Sequence, residues 1–192
     1  GGSDHAFPVR GEGYCVLNEV AIAIRCLQRD GWMQRMAILD CDVHQGNGTA
    51  AIFADEPDVY TCSIHGANNY PLVKVPGSLD IGLPDGTGDD EYLAALETAV
   101  PRILEEFRPG LVFYVAGADP HEGDRLGRLR LTHQGLCRRD QFVLQACRDA
   151  GIPVAVTLGG GYGQDVQDTV EAHCNTVRAA RVVFDDSSSS PP

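Results

Sequence analysis

The chain contains no run of 18 apolar residues and no pair of cysteines in C-x-x-C spacing. Because a helix that crosses a bilayer needs about 20 apolar residues, the missing run argues against a membrane span. The seven cysteines are scattered singly along the sequence. Scattered cysteines are typical of reduced thiols, and they predict a cytoplasmic protein rather than a secreted disulfide scaffold.

Basic residues are also scarce, with 15 Lys and Arg against 27 Asp and Glu and a formal net charge of −12. A nucleic-acid-binding protein presents a basic face, so we expect no direct nucleic-acid partner. An acidic surface suits a cationic peptide or a polyamine as substrate, although solubility alone is the simpler reason for the net charge.

The sequence shows no internal repeat and no sign of a second domain in its 192 residues. Apolar residues make up 43% and charged residues 22%, which are the proportions of a globular domain. Short apolar runs alternate with segments of helical periodicity, and this alternation predicts an α/β fold with a mainly parallel sheet. The predicted strands are 36–40, 59–64, 110–116 and 153–158, and the predicted helices are 17–29, 49–54, 90–107, 132–150 and 165–182. Residues 65–88 are predicted to be a long irregular loop.

The first strand ends in the sequence Asp40-Cys-Asp42-Val-His44. In an extended chain these three polar side chains point to the same side. Two carboxylates and an imidazole grouped in this way are costly to bury unless a cation compensates them. Oxygen and nitrogen ligands of this kind suit zinc or a similar metal, and the alternative is an acidic loop exposed to solvent.

Two other predicted strands end in comparable residues, Asp119 after 110–116 and Tyr162 after 153–158. In an open parallel sheet, ligands bind outside the carboxyl ends of the strands, so these ends can converge. Asp42, His44 and Asp119 would then form a three-ligand site with an open position, which is the pattern of a catalytic zinc site. Taken alone, Asp119 is equally explained as a helix cap and Tyr162 as a half-buried aromatic residue.

Several segments resemble the successive motifs of the histone deacetylase family, in the family's order. They are Gly1-Gly-Ser-Asp-His5-Ala-Phe, Gly11-Glu-Gly-Tyr14-Cys15, Asp40-Cys-Asp-Val-His44-Gln-Gly-Asn47-Gly, Gly117-Ala-Asp119 and Gly159-Gly-Gly-Tyr162. Segments 43–48, 86–93 and 123–127 resemble the class IV branch and its bacterial relatives. The resemblance implies the arginase/deacetylase fold, with helices flanking a mainly parallel sheet and the active site at the strand carboxyl ends. It also implies that residues 1–183 are part of a catalytic domain that lacks its amino-terminal segment, and that 184–192 form a disordered tail.

The resemblance further implies zinc-dependent hydrolysis of an N-acyl-lysine peptide or protein, or of an acylpolyamine, with Fe²⁺ as the alternative metal. Asp42, His44 and Asp119 match the family's metal ligands. His5 matches its general base and Asn47 the partner of that base.

Other positions are carried over from the same resemblance. Tyr162 would donate its hydroxyl to the oxyanion. Asp40 would be one of the charged catalytic residues around the base. The family's substrate channel corresponds to Gly13, Tyr14, Tyr70 and Gly160. The alternative is that the two tyrosines are ordinary, partly buried aromatic residues. A structural monovalent cation would be held by Ser63, Ile64 and the backbone of 40–44.

One position departs from the family pattern. The family has two adjacent histidines where this chain has Asp4 and His5. The first of these histidines normally hydrogen-bonds the carboxylate at the Asp40 position. Two carboxylates there would repel each other, so we expect one to be protonated or Asp4 to turn away. The alternative functions are therefore a non-catalytic metal- or acyl-binding relative and, less well supported, an arginase-like ureohydrolase, which would need further metal ligands.

Overall fold

A computed structural model describes residues 3–185 of the chain. Within these residues there are five strands and five α-helices, and a π-helical turn, Arg102–Phe107, continues the third helix. The strands are β1 (Met36–Asp40), β2 (Val59–Gly66), β3 (Leu79–Leu83), β4 (Leu111–Ala116) and β5 (Val154–Leu158). The helices are α1 (Glu19–Arg29), α2 (Asn47–Ile52), α3 (Asp89–Pro101), α4 (His133–Asp149) and α5 (Val166–Phe184).

The five strands form one sheet in the order β3-β2-β1-β4-β5, and every neighbouring pair is parallel. The predicted parallel α/β fold is therefore confirmed. From β1 the chain first builds outward through β2 and β3, and then returns to the other side of β1 with β4. The strand order reverses between β1 and β4, and a crevice at such a reversal is the usual ligand site of an open α/β sheet.

Central strand β1 is buried along its whole length and divides the core into two halves. Ala37 and Leu39 pack into the larger hydrophobic cluster with α3, α4 and α5. Met36 and Ile38 pack into the smaller cluster, which α1 covers. Alternation along the strand places successive side chains on opposite faces, so both faces of the sheet are covered by helices. The carboxyl end of β1 is therefore packed within the core.

The prediction that residues 65–88 form an irregular loop is wrong in part, because this region contains β3 (Leu79–Leu83). This strand carries Asp80 and Gly82, which have low strand propensity, and its burial is only partial. Pairing with β2 makes it an edge strand of the sheet. The sequence signal was weak because tertiary pairing rather than local propensity forms this strand.

The predicted helix 90–107 is also different in detail. Pro101 has no N–H to donate and closes the α-helical part, after which the chain continues as the π-helical turn. At the carboxyl terminus, α5 reaches Phe184, and residues 186–192 of the predicted tail lie outside the described residues. Among the helices that the structure describes, none is long and apolar enough to cross a membrane.

Candidate active site

The carboxyl ends of β1 and β4 bring Asp42, His44 and Asp119 together. One possible ligand atom from each residue lies within 4.8 Å of the others, and no other group of three His, Cys, Asp or Glu side chains in residues 3–185 does so. His44 Nδ1 is 3.0 Å from Asp42 Oδ1 and 3.1 Å from Asp119 Oδ2. The Asp119 side chain is fully buried. Two of the three strand ends that were expected to converge thus meet in the fold.

The electrostatics of this trio fit a bound cation. Burial opposes charge on His44, but its hydrogen bonds to Asp119 and Asp42 raise the pKa of the imidazole to about 10. Burial, followed by repulsion from Asp42, raises the pKa of Asp119 to about 7. Two buried carboxylates therefore require a positive partner, which is a proton on His44 when no ion is bound. The two oxygens and one nitrogen are a donor set that suits zinc or ferrous iron.

Backbone amides fix the carboxylates of the trio. The Val43 amide donates to Asp119 Oδ1 at 2.8 Å, and the Gly160 amide donates to Asp42 Oδ2 at 2.7 Å. A Cβ at Gly160 would lie 2.1 Å from Asp119 Oδ2. The structure therefore places Gly160, predicted to bind substrate, directly against the candidate ligands, where only glycine leaves room.

His5 and Asn47 form a second polar group beside the trio. His5 Nδ1 is 2.8 Å from Asn47 Oδ1. The His5 and His44 rings meet edge to face with centroids 6.1 Å apart. Burial lowers the pKa of His5, although the hydrogen bond to Asn47 opposes this change. His5 is therefore placed near the ligand cluster as a buried, neutral imidazole.

The Tyr162 ring also meets the His44 ring edge to face, with the ring centroids 6.3 Å apart. Its backbone is held by the 123–127 loop, because the Tyr162 amide donates to Asp124 Oδ2 at 2.6 Å. Arg125 Nε donates to the Tyr162 carbonyl oxygen at 3.0 Å. Burial and the nearby Asp42 carboxylate raise the pKa of the Tyr162 phenol to about 12, so its hydroxyl stays protonated.

Asp4 does not turn away from Asp40. Asp4 is buried, and a Cβ at Gly46 would lie 3.3 Å from Asp4 Oδ2 and 2.5 Å from Asp40 Oδ2. Both oxygens are buried without a hydrogen-bond partner among the described residues. Burial and the Asp40 charge raise the pKa of Asp4, and burial and the Asp42 charge raise the pKa of Asp40. Of the two outcomes expected from the sequence, protonation is the one that this arrangement favours.

A cavity of about 420 Å³ opens beside the candidate metal ligand His44. It is lined by His44, His5, Tyr162 and the predicted channel residues Gly13, Tyr14 and Tyr70. The Tyr70 ring packs edge to face on His5 with centroids 5.1 Å apart. Tyr14 is 94% exposed. The two tyrosines therefore differ, since Tyr70 contacts the candidate base whereas Tyr14 stands at the mouth of the cavity.

The residues expected around a monovalent cation lie behind the cluster on neighbouring strands. Ser63 is aligned with Asp40 across β1 and β2. Its hydroxyl lies 2.9 Å from His65 Nδ1. Ile64 is fully buried beside it. A cation at this place stays a prediction.

Three residues with a place in the site were not singled out from the sequence. Asp124 lies within segment 123–127, which resembles the class IV branch, so the sequence carried a signal for this residue. Glu12 lies within another segment that resembles a family motif, and it contacts Asn47 and Tyr70. Arg139 lies in the middle of α4, where nothing in the sequence marked it, and it reaches the backbone of both ligand-bearing loops.

The fold and the site together define an α/β protein with a candidate mononuclear metal centre at the switch point of a parallel sheet. The profile of the Histone deacetylase domain matches residues 1–177, so the chain belongs to the histone deacetylase family. The family predicted from the motifs is thereby confirmed.

Three of the similar proteins come from bacteria and archaea. An uncharacterized protein of Picosynechococcus sp. is 50% identical over 184 residues, which cover 96% of this chain and 61% of that protein. A probable deacetylase of Methanothermobacter thermautotrophicus is 35% identical over 82% of this chain and 50% of its own length. The histone deacetylase-like amidohydrolase of Pseudomonas aeruginosa is 33% identical over 83% of this chain and 45% of its own length. The chain thus spans between about half and three fifths of the length of these relatives.

Solved structures show the same fold. The acetylpolyamine aminohydrolase of Burkholderia pseudomallei matches with a TM-score of 0.82 at 25% identity, covering 94% of this chain and 54% of that one. A histone deacetylase homolog from Aquifex aeolicus matches with a TM-score of 0.81 at 25% identity, covering 94% and 50%. The arginase/deacetylase-like fold expected from the resemblance is confirmed.

Proposed function

We propose that the protein takes part in metal-dependent hydrolysis of an acylated amine, with an N-acyl-lysine side chain or an acylpolyamine as substrate. The observation that carries this proposal is the convergence of Asp42, His44 and Asp119, with the rings of both His5 and Tyr162 edge to face with that of His44. Membership of the family supports the same reaction class, as do the names of two similar proteins, a histone deacetylase-like amidohydrolase and an acetylpolyamine aminohydrolase.

Asp42, His44 and Asp119 would hold the metal, for which zinc is our first choice and Fe²⁺ the alternative. When bound, a divalent cation polarises an acyl carbonyl and lowers the pKa of an attacking water toward about 7. The chain's own contribution is a set of three ligands that leaves coordination positions for water and substrate. Since a histidine ligand must be neutral, metal binding would release the proton that compensates the trio.

His5 would act as the general base. Its Nδ1 is engaged by Asn47, so the lone pair on Nε2 is the one available to accept a proton from water. The same nitrogen would return that proton to the leaving amine. Because burial lowers the pKa of His5, the imidazole would be neutral and competent at neutral pH.

Tyr162 would donate its hydroxyl to the oxyanion that forms as the carbonyl is attacked. A phenol whose pKa is raised to about 12 keeps its proton at neutral pH and can serve as a hydrogen-bond donor. The loop residue Asp124 accepts a hydrogen bond from its backbone amide and so anchors the main chain that carries the ring.

The cavity suits an extended acyl-amine chain. The Tyr70 ring offers an apolar wall next to His5. The acidic balance of the chain would attract the cationic remainder of a polyamine or a lysine-rich peptide. We assign residues 1–183 to the catalytic domain of this family and, from the scattered cysteines, place the protein in the cytoplasm.

A non-catalytic, metal-binding role is the second candidate, and the observation that favours it is the buried Asp4 beside Asp40. A ureohydrolase with a two-metal cluster is less well supported, because the described residues hold a single candidate group of ligands.

The experiment that tests the proposal combines metal analysis with turnover. The purified protein is loaded with Zn²⁺ or Fe²⁺, its metal content is measured, and acetyl-lysine peptide and acetylputrescine are assayed. We expect one ion per chain, loss of that ion in Asp42→Ala, and turnover that disappears in His5→Ala while the metal stays bound. One bound ion without turnover of either substrate would favour the non-catalytic role, and no bound ion in the folded protein would overturn both.

A further inference from the structure

Glu12 begins a tight turn that packs directly on His5. Glu12 and Cys15 exchange backbone hydrogen bonds of 3.0 and 2.8 Å. Gly13 and Tyr14 between them have φ values of 55° and 65°, as in a type I′ turn. A Cβ at Gly13 would lie 2.5 Å from His5 Cδ2. The position of Glu12 relative to His5 is therefore set by the backbone.

The Glu12 carboxylate reaches two residues of the site. Its Oε1 accepts from the Tyr70 hydroxyl at 2.6 Å and from Asn47 Nδ2 at 3.1 Å. Its Oε2 accepts from Arg10 Nε at 3.0 Å. The hydrogen bonds from Tyr70 and then Arg10 lower the pKa of Glu12, so the side chain is a carboxylate at neutral pH.

These contacts decide which way the Asn47 amide faces. An ionised carboxylate only accepts hydrogen bonds, so the NH₂ group of Asn47 must point toward Glu12. The Asn47 oxygen then faces His5 Nδ1 at 2.8 Å, and this nitrogen must carry the proton. With the opposite orientation of the amide, the NH₂ group of Asn47 would donate to His5 Nδ1. That nitrogen would then have to be unprotonated, and the ring proton would lie on Nε2.

We propose that Glu12 is a positioning residue that sets the orientation of the Asn47 amide and thereby the tautomer of His5. This inference rests on the proposed function, in which His5 Nε2 must be free to accept a proton. The oxygen and the NH₂ group of the Asn47 amide have nearly the same shape, so the amide could adopt either orientation. The Glu12 carboxylate favours the orientation in which the NH₂ group faces it. Through the Tyr70 hydroxyl, the same carboxylate holds the cavity wall against the base.

The test that does not depend on activity is NMR spectroscopy of the histidine ring nitrogens in the metal-free protein at about pH 8. We expect His5 in the wild type to show the tautomer protonated at Nδ1, and Glu12→Ala to show a substantial population protonated at Nε2. Arg10→Ala is the matched control, since it removes the third partner of Glu12 but leaves the contact to Asn47. A His5 tautomer that is the same in Glu12→Ala as in the wild type would overturn the proposal.

Glu12→Gln serves as a second variant in case Glu12→Ala does not fold. Its amide presents either an acceptor or a donor to Asn47, so we expect a mixture of His5 tautomers there as well. Wild-type tautomer ratios in Glu12→Gln, together with an unfolded Glu12→Ala, would assign Glu12 to the stability of the turn alone and would overturn the proposal.

Kinetics provide the second readout. Loss of an outer partner of a metal ligand typically costs about 10- to 100-fold. By analogy, Glu12→Ala, which removes a partner of Asn47 beside the proposed base, should lower kcat by about tenfold. Tyr70→Phe, which keeps the Glu12–Asn47 contact, should change KM more than kcat. If the tautomer changes in Glu12→Ala but the wild type hydrolyses no acyl-amine, the inference about Glu12 stands and the proposed function fails.

Discussion

The guanidinium of Arg139 donates from Nη1 to the Gly117 carbonyl oxygen across 2.7 Å. The same nitrogen lies 3.2 Å from the Cys41 carbonyl oxygen. Asp119 follows Gly117 by two positions and Asp42 follows Cys41 directly, so one buried side chain ties together both loops that carry candidate metal ligands.

Replacing Arg139 should therefore weaken both stability and metal binding. Arg139→Met leaves the buried Asp140 carboxylate without its ion-pair partner, and breaking a buried pair in this way costs about 3–5 kcal/mol of unfolding free energy. Arg138→Met is the control, because Arg138 is paired on the surface with Asp90. Denaturant unfolding and metal competition measure the two effects. Equal stabilities of the two variants would contradict this role for Arg139.

Gly160→Ala should abolish metal binding while the fold persists. The added methyl group would meet Asp119 Oδ2 and Asp42 Oδ2, which the backbone cannot avoid without moving the ligands. In Gly82→Ala, the new methyl group makes only an ordinary 3.4 Å contact with Ala67, so that variant should bind metal normally. Measuring the metal content of the folded variants tests this prediction. If Gly160→Ala bound metal normally, the segment around residue 160 would be free to move away from the ligands.

Tyr162→Phe should lower kcat by about 100- to 1,000-fold with little change in KM, because it removes a single donor to the oxyanion. Metal content should stay at the wild-type level, since the phenol is not one of the three candidate ligands. Tyr60→Phe, a change in a ring that packs against the core far from the cavity, is the control. A rise in KM with kcat unchanged would make Tyr162 a binding residue.

Asp4→Asn should stabilise the metal-free protein at neutral pH. Burial and Asp40 raise the pKa of Asp4 above its unfolded value, so the folded state holds a proton that the unfolded state has lost. Stability therefore falls as pH rises above about 3.9, and it continues to fall until the folded-state pKa is passed. Asp4→Asn removes this loss, so its Tm advantage over the wild type should grow from pH 4 to pH 7. An advantage that is independent of pH would show that Asp4 is ionised in the folded protein.

His65→Gln should flatten the pH dependence of stability on the acidic side. Burial and then Lys74 lower the pKa of His65 to about 4, below its unfolded value. The unfolded state binds the extra proton, so stability is lost as pH falls from about 6.5 to about 4, by on the order of 3 kcal/mol in all. Urea unfolding across this range checks the prediction. An acid limb that is equally steep in wild type and variant would assign the loss to other groups.

Some of the candidate site was predictable from short stretches of sequence. Asp42 and His44 share one side of an extended chain because strand side chains alternate, and this needs no knowledge of the fold. Strand β1 was likewise predicted at 36–40, because a short apolar run that ends in a polar residue is typical of a buried central strand. The edge strand β3 was not, since Asp80 and Gly82 within it have low strand propensity.

The sequence by itself determined the family, the parallel α/β class and the residue types that a metal site requires, because these depend on local periodicity and on motifs that are contiguous in the chain. Only the tertiary structure decided that Asp4 faces Asp40, that Glu12 contacts Asn47 and that Arg139 joins the two ligand loops. Glu12 and Asn47 are 35 positions apart, and Arg139 and Cys41 are 98 positions apart. Contacts over such separations arise from strand pairing and helix packing, which no local pattern records.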